Sequence, residues 1–340
     1  MNLIRRTVLA LAGAALLGGL ATTSAFAADI KPRMIRFGYG LAEDTNQGRA
    51  TKVFVEEMQK LSGGKLKVKA FGSASLGSDV QMQNALMGGA QEMMVGSTAT
   101  LVGVIPEMAL WDTPFLFANE KEADAVLDGP VGQKLLDKLQ EKGLVGLVYW
   151  ENGFRNLTNN KRSVTKLEDL GGIKLRVMQN NVFLDTFRTL GANAIPLSFS
   201  ELFTALETQA VDGQENPFNT ILTSKFYEVQ KYLTVTNHVY SPWVVLASKK
   251  WWDGLSKDEQ AIVMQAAVAS REFERKDTRE ETARALKALE ANGMTVNALS
   301  AEELDRMREK IKPITEKVAQ DVGTELWTEV QQEIAKARAN

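Results

Sequence analysis

The sequence predicts an α/β protein built as two lobes, with one long helix laid across both. Three observations carry this. Strands alternate with helices through short Gly-rich turns, the alternation restarts in the middle of the chain, and a late helix is too long for one lobe. The length of 340 residues suggests about two domains.

The first residues come before the fold. Arg5 and Arg6 precede an apolar run from Val8 to Leu20, and Ala25-Phe26-Ala27 follows as a small-x-small site. That layout reads as a secretory signal peptide over 1–27, with Ala28 as the new N-terminus. An uncut anchor is the other reading, but the run is shorter than the roughly 20 residues that span a bilayer. There is no cysteine, so a lipid-modified N-terminus and disulfides are both excluded. Burial must then hold the fold, and a chain of this size buries roughly three quarters of its unfolded surface.

The mature part opens with a strand, Met34–Tyr39, then a helix with Val53, Phe54 and Met58 on one face, stopped by Gly63-Gly64. Leu66, Val68 and Ala70 alternate with lysines as the next strand. A helix follows from Asp79 to Met87, then an apolar run, Met93-Met94-Val95. The pattern restarts with a buried strand at Leu144–Trp150 and another lined by Ile173, Leu175 and Val177. A helix then runs through Phe183 and Phe187 to Gly191. Ser198 and Glu201 have capping-box spacing for the following helix. Ser256 and Glu259 form another such pair, Asn292-Gly293 is a stop, and no Gly or Pro lies between them. That helix would be roughly 50 Å long at 1.5 Å per residue, which suits a brace across two lobes. Two helices broken near Arg275–Glu280 is the alternative. The division expected is 28–152 plus 242–280 for lobe I, and 153–241 plus 281–340 for lobe II.

Catalytic signatures are sparse. Without cysteine, thiol nucleophiles and thiolate metal sites are impossible, and the single histidine, His238, makes no His-x-x-x-His pair. A Ser-His-Asp triad would have to be built on that residue. Gly38-Tyr39-Gly40 begins like a dinucleotide fingerprint, but Glu43 stands where the third glycine belongs. No phosphate-binding loop or Gly-x-Ser-x-Gly elbow occurs, and nothing calls for a cofactor or metal. The net charge of −2, with both signs dispersed, gives no reason to expect nucleic acid or an anionic membrane surface.

Polar residues at strand ends and turns remain, where α/β folds place ligands. Arg176 lies on the face opposite Leu175 and Val177 and reads either as an exposed strand arginine or as an anion ligand. Arg155, just after a buried strand, is a surface turn residue or a second anion contact. Asp212–Pro217 reads as a dense polar turn ahead of an amphipathic helix, and Asp79 as a helix cap or a cleft acid.

At these positions the sequence resembles a known family. Gly172-Ile173-Lys174-Leu175-Arg176-Val177 leads to Leu190-Gly191-Ala192 and Pro196, then Ser200-Glu201-Leu202-Phe203-Thr204-Ala205-Leu206-Glu207. Val211-Asp212-Gly213-Gln214-Glu215-Asn216-Pro217, Phe226–Tyr232 and Thr236-Asn237-His238 follow in order. Ala74–Asp79 and Gly153–Thr158 fit upstream. The series is similar to the DctP-type solute-binding proteins of tripartite ATP-independent periplasmic (TRAP) transporters, over essentially the whole mature chain.

The resemblance implies a two-lobed, type II periplasmic-binding-protein-like fold, binding without catalysis, and delivery to TRAP permease subunits in the membrane. It implies that Arg176 pairs with a ligand carboxylate, for which a planar guanidinium fork is suited. Arg155 would support the same anion, Asn216 would supply amide hydrogen bonds, and Phe199 would pack on the ligand's carbon face. Asp79 falls where an acid meets a ligand hydroxyl or amine, and Gln179, Asn152 and Trp243 are further cleft residues. Gly40 and Ser97 replace polar and acidic contacts of sialic-acid binders, which points away from a bulky amino sugar acid. The expected ligand is a hydroxylated monocarboxylate, an aldonate or uronate. A C4-dicarboxylate or short 2-oxo or 2-hydroxy acid is the other class. A monomer is expected. The rival class is a secreted lyase or hydrolase of sugar acids using His238 as base.

Overall fold

The computed structural model describes residues 29–339, so the expected leader over 1–27 lies outside the described residues. The first half winds as β1 (Arg33–Gly38), α1 (Asn46–Leu61), β2 (Leu66–Phe71), α2 (Asp79–Gly88), β3 (Met93–Ser97), α3 (Glu120–Leu127), α4 (Pro130–Lys138) and β4 (Leu144–Phe154). The second group is β5 (Asn156–Asn159), β6 (Lys174–Val177), α5 (Asn181–Thr189), β7 (Asn193–Pro196), α6 (Phe199–Glu207), β8 (Gly213–Asn216), α7 (Phe218–Thr223) and β9 (Tyr232–Val235). The chain then returns through β10 (Tyr240–Ser248), α8 (Lys249–Trp252), α9 (Lys257–Ala291), β11 (Thr295–Ala298), α10 (Ala301–Val322) and α11 (Thr324–Ala339).

Two sheets result, in the orders β2-β1-β3-β10-β4 and β11-β9-β5-β8-β6-β7. β1 is parallel to β2 and β3, while β10 runs antiparallel to β3 and β4. The interior strands β3 and β10 are buried at every residue, as continuous apolar runs covered on both faces should be. The edge strand β2 instead alternates lysines outward, which guards an open edge. Pro242 sits in the middle of β10, where the ladder with β4 shifts register between Ser241 and Pro242. A proline without an N–H fits a strand interior at such an irregularity.

Each sheet carries apolar side chains on both faces, and four buried clusters fill the molecule. α9 links them. Ile262, Val263, Ala266 and Ala267 belong to the cluster around Phe37 and Trp150, and Leu289 belongs to the cluster around Leu202 and Phe226. The helix is unbroken over 35 residues, capped by the reciprocal Ser256–Glu259 pair and ended before Gly293, whose φ is +93°. Ion pairs anchor its middle. Arg275 meets Asp128 at 2.6 Å, and Arg279 meets Asp124 at 2.8 Å and Glu151 at 2.7 Å. The alternative of two shorter helices therefore fails, because the segment near 275–280 is where the helix is tied down hardest.

Three local expectations are corrected. Asp212–Pro217 is no turn: Gly213–Asn216 form β8, a strand buried at all four positions inside the second sheet. Polar residues can fill a buried strand when each finds a partner. Gln214 Nε2 donates to Thr158 Oγ1 at 2.9 Å, and that hydroxyl donates to Gln230 Oε1 at 2.8 Å. The Ser198–Glu201 capping box does not form either. Ser198 is the N-cap, but its hydroxyl is engaged by the Glu201 carboxylate and no backbone N–H reaches it. Finally, α11 does not join the second sheet. Val330 and Ile334 pack into the cluster containing Val126, Val131 and Leu135, on α3 and α4. The expected division put 281–340 with lobe II. The apolar stripe of α11 finds its uncovered partner on the first lobe instead.

Candidate functional site

The two lobes meet where the chain crosses from one sheet to the other. The outward crossing passes Arg155 between β4 and β5, and the return crossing passes His238 and Val239 between β9 and β10. The crossings bind each other: Arg155 N–H donates to Val239 O at 2.8 Å, and His238 N–H to Arg155 O at 3.2 Å. In front of this seam lies a cavity of about 670 Å³, measured out to its mouth. All eight candidate residues line it: Asp79, Asn152, Arg155, Arg176, Gln179, Phe199, Asn216 and Trp243. Apart from Trp243, inside β10, and Arg155, in the crossing, they come from at or near strand ends and helix starts, the positions that open α/β sheets give to ligands.

Arg176 is not the exposed strand arginine that its spacing allows, being only 2% exposed. Its Nε donates to Leu197 O at 2.8 Å, which orients the guanidinium plane. Among the described residues Nη1 and Nη2 make no hydrogen bond, and the residue borders the cavity. Burial pushes the group down to about 10, with Glu215 and Asp79 opposing and Arg155 assisting the shift. It therefore stays charged at neutral pH. A buried, oriented cation with free donors is prepared for an anion.

Arg155 is fully buried rather than a surface turn residue. Glu215 grips it through the side chain at Nε and Nη2, the second contact at 2.8 Å, and also through its carbonyl. The Phe183 ring lies 5.5 Å from the guanidinium carbon. Among the described residues Nη1 is left without a partner. Burial alone would raise the Glu215 carboxyl, but the Arg155 charge and the His238 hydrogen bond hold it below the usual carboxylate range. His238 Nε2 lies 3.1 Å from Glu215, and Nδ1 lies 2.8 Å from Thr236 Oγ1. Both ring nitrogens are thus occupied, and His238 does not line the cavity. It is placed as a strut for Glu215, out of reach for acting as a base on anything in the cleft.

The wall from the first lobe is different. Asp79 is the first residue of α2, and its Oδ2 accepts the Ser97 N–H at 2.9 Å. Burial raises its carboxyl, while that hydrogen bond and the charge of Arg176 pull the other way. Trp243 is 5% exposed, one residue past the irregularity in β10. Asn152 Oδ1 accepts from Thr220 Oγ1 at 2.9 Å, joining the end of β4 to α7. Three more residues belong to the second lobe, and of these Gln179 stands exposed at the mouth. Phe199 is half-buried 6.0 Å from Phe226 and touches apolar clusters of both lobes. Asn216 Nδ2 donates to Gln214 Oε1 at 2.5 Å, which continues the buried polar chain behind the wall.

The sequence reading did not single out Gln47, Thr100, Met178 and Thr220 as cavity residues, or Glu215 as the partner of Arg155. Glu215 had a signal. A carboxylate inside a run of polar residues flanked by apolar elements needs a buried cation. The other four have none, because their positions depend on how the two lobes meet.

Comparison with known proteins places this geometry. Residues 37–321 match the bacterial extracellular solute-binding proteins, family 7, known as DctP. The chain belongs to this family. The sugar acid binding protein DctPAm of Advenella mimigardefordensis, solved in complex with galactonate, is 57% identical with a TM-score of 0.89, covering 91% of this chain and 100% of that one. A TRAP periplasmic solute-binding protein of Polaromonas, bound to D-erythronate, is 37% identical with a TM-score of 0.84, covering 88% and 98%. The 2,3-diketo-L-gulonate-binding periplasmic protein YiaO of Escherichia coli is 37% identical over 82% of this chain and 85% of its own. The fold is that of these TRAP solute-binding proteins, and the chain is a binding protein, not an enzyme. Among the described residues no helix is long and apolar enough to cross a membrane.

Proposed function

We propose that this member of the DctP family captures a hydroxylated monocarboxylate, an aldonate or uronate, and presents it to a TRAP permease. The observation that carries the reading is Arg176: a buried guanidinium with two free donor nitrogens at the wall of a cleft between two lobes. The ligand carboxylate docks on it through two parallel N–H···O bonds. Arg155 Nη1 adds a donor, and the Asn216 and Asn152 amides meet hydroxyls. Phe199 and Trp243 cover the carbon chain. The lobes then hinge at the two crossing strands and exclude water, which strengthens each charged contact. An affinity near micromolar, about 8 kcal/mol, is within reach of one bidentate ion pair, several hydrogen bonds and one apolar face. The galactonate, erythronate and diketogulonate of the relatives support this ligand class.

The protein acts in the periplasm after cleavage beyond Ala27. It works as a monomer, a reading supported by the scatter of its large exposed apolar residues, Met34, Val268 and Phe273. A thermal-shift screen of the mature protein against sugar acids, dicarboxylates and oxo acids tests the proposal, because a ligand that binds only the folded state raises Tm. The expected result is a clear shift with an aldonate or uronate that disappears in Arg176→Ala. A shift that survives the substitution, or none with any carboxylate, contradicts it.

A further inference from the structure

We infer that Pro313 is the joint at which α10 flexes as the lobes close, and that this proline affects how tightly the ligand is held without lining the cavity. The inference rests on the reading above, in which capture proceeds by closure of the lobes.

The anchoring of α10 leads to it, because each half of this helix belongs to a different lobe. In the first half, Met307 and Ile311 lie in the second-lobe cluster around Ile173, Leu175 and Phe187. Leu167 N–H donates to Glu303 there at 2.8 Å, and Arg306 pairs with Glu168. In the second half, Val318 and Val322 lie in the first-lobe cluster with Trp111, Val126 and Leu135. α11 fastens that end, through Lys134 to Glu329 at 2.5 Å and Arg338 to Glu122 at 2.8 Å. Ile314 packs against both clusters, so the boundary between the lobes falls beside it.

Pro313 stands at that boundary, inside a helix of 22 residues that is roughly 33 Å long. It has no N–H for the Glu309 carbonyl and its ring crowds that turn, so the helix is weakest there. The residue is exposed and belongs to none of the four apolar clusters, so packing does not account for it. The joint also lies near the seam. Arg308 lies over the Phe115 ring at 4.8 Å, and Phe115 N–H donates to His238 O, on the return crossing, at 2.8 Å. A stiff helix anchored at both ends would strain its anchors as the lobes turn, whereas a break beside the crossings lets each half turn with its lobe. Without ligand, the lobes can settle at whatever angle a stiff helix prefers. Around a ligand the angle is imposed from both walls, so stiffness at this joint costs the bound state alone.

Two substitutions in the mature protein make the test. Pro313→Ala restores the N–H and a strong helix former, and Pro313→Gly restores the N–H but keeps the joint soft. Each is titrated with galactonate by calorimetry. Closure is read as the change in distance between spin labels at Lys52→Cys on α1 and Arg188→Cys on α5, which are unambiguous in a chain without cysteine. Pro313→Ala is expected to weaken galactonate binding by about tenfold and to shrink the ligand-induced distance change, with no fall in Tm before ligand is added. Pro313→Gly is expected to stay within about twofold of the wild type in affinity and to close as the wild type does. Alanine and wild-type proteins that bind and close alike overturn the inference and leave closure standing. A glycine variant as impaired as the alanine one overturns it too, since the proline would then be structural. A wild type whose label distance does not change with galactonate overturns the closure reading, and the inference with it.

Discussion

On the second-lobe side of the cleft, Arg155 and Asn216 are wired to a polar network that runs away from the cavity through Glu215, His238, Gln214 and Thr158, while Arg176 is braced beside them on the Leu197 carbonyl. On the first-lobe side, Asp79, Ser97 and Trp243 sit among glycines and short side chains, and Asp79 is held by one backbone N–H. One wall is preorganised and positive; the other is sparse, with its shape set by what is missing at Gly40 and Gly96. The difference separates two tasks. Holding an anion needs buried charge whose desolvation cost is met in advance. Choosing among anions needs a surface that small substitutions can reshape without endangering the fold.

Substitutions on the two walls should then differ in kind, and the largest effect belongs to the wired wall. Arg176→Ala is expected to weaken aldonate binding by about a hundredfold or more, since losing one partner of a buried charge pair costs about 2–5 kcal/mol. Its Tm without ligand should fall little, because among the described residues only its Nε is hydrogen-bonded, to the Leu197 carbonyl. Glu215→Gln should do the reverse in stability. It leaves Arg155 buried without a counter-charge, costs about 3–5 kcal/mol in a denaturant titration, and lowers Tm by several degrees. If Glu215→Gln melts like wild type, the wired wall is no more than a set of ordinary contacts.

Asn216→Ala lies between these cases, with an expected loss of about tenfold in affinity and a small loss of stability, because its amide serves both the cleft and Gln214. Gly40→Ala on the sparse wall should cost about threefold in affinity and nothing measurable in Tm. A large fall in Tm for that variant would show the first wall to be structural after all.

The seam behind both walls carries its own pH dependence. Glu274, in the middle of α9, accepts Glu151 N–H at 2.7 Å and Thr278 Oγ1–H at 2.7 Å, and burial pushes its carboxyl up to about 8. Its folded-state value lies above its unfolded one. The stability it contributes is therefore complete in mild acid and is lost as pH rises toward about 8. Tm measured from mild acid to mild base should decline over that interval, and Glu274→Gln should flatten the decline. An equal decline in the variant would place its source elsewhere.

Much of the architecture is legible in the sequence, for reasons that can be named. Continuous apolar runs such as Met93–Val95 and Leu144–Trp150 are buried strands because both faces are covered. The span from Ser256 to Asn292 lacks a breaker and keeps its caps, so its length reaches both lobes. What is not legible is compensated polarity. Gly213–Asn216 looks like a turn because its residues are hydrophilic, yet it is a central strand whose partners come from two distant segments, Thr158 and Arg155 from one and His238 from the other. The same holds for Arg176 and Arg155, which spacing leaves undecided between surface and site. Their burial depends on Leu197 and Glu215, contacts that no local pattern encodes. The placement of α11 is missed for a related reason, since an amphipathic stripe does not say which lobe it will cover.

The proposed role of Arg176 is tested most directly by titrating galactonate and galactitol, the same carbon chain with and without a carboxylate, into the wild-type protein and Arg176→Ala. Binding of galactonate near the micromolar range, with none detected for galactitol and none in the variant, is the expected result. Comparable binding of galactitol, or galactonate affinity that survives in Arg176→Ala, would contradict it.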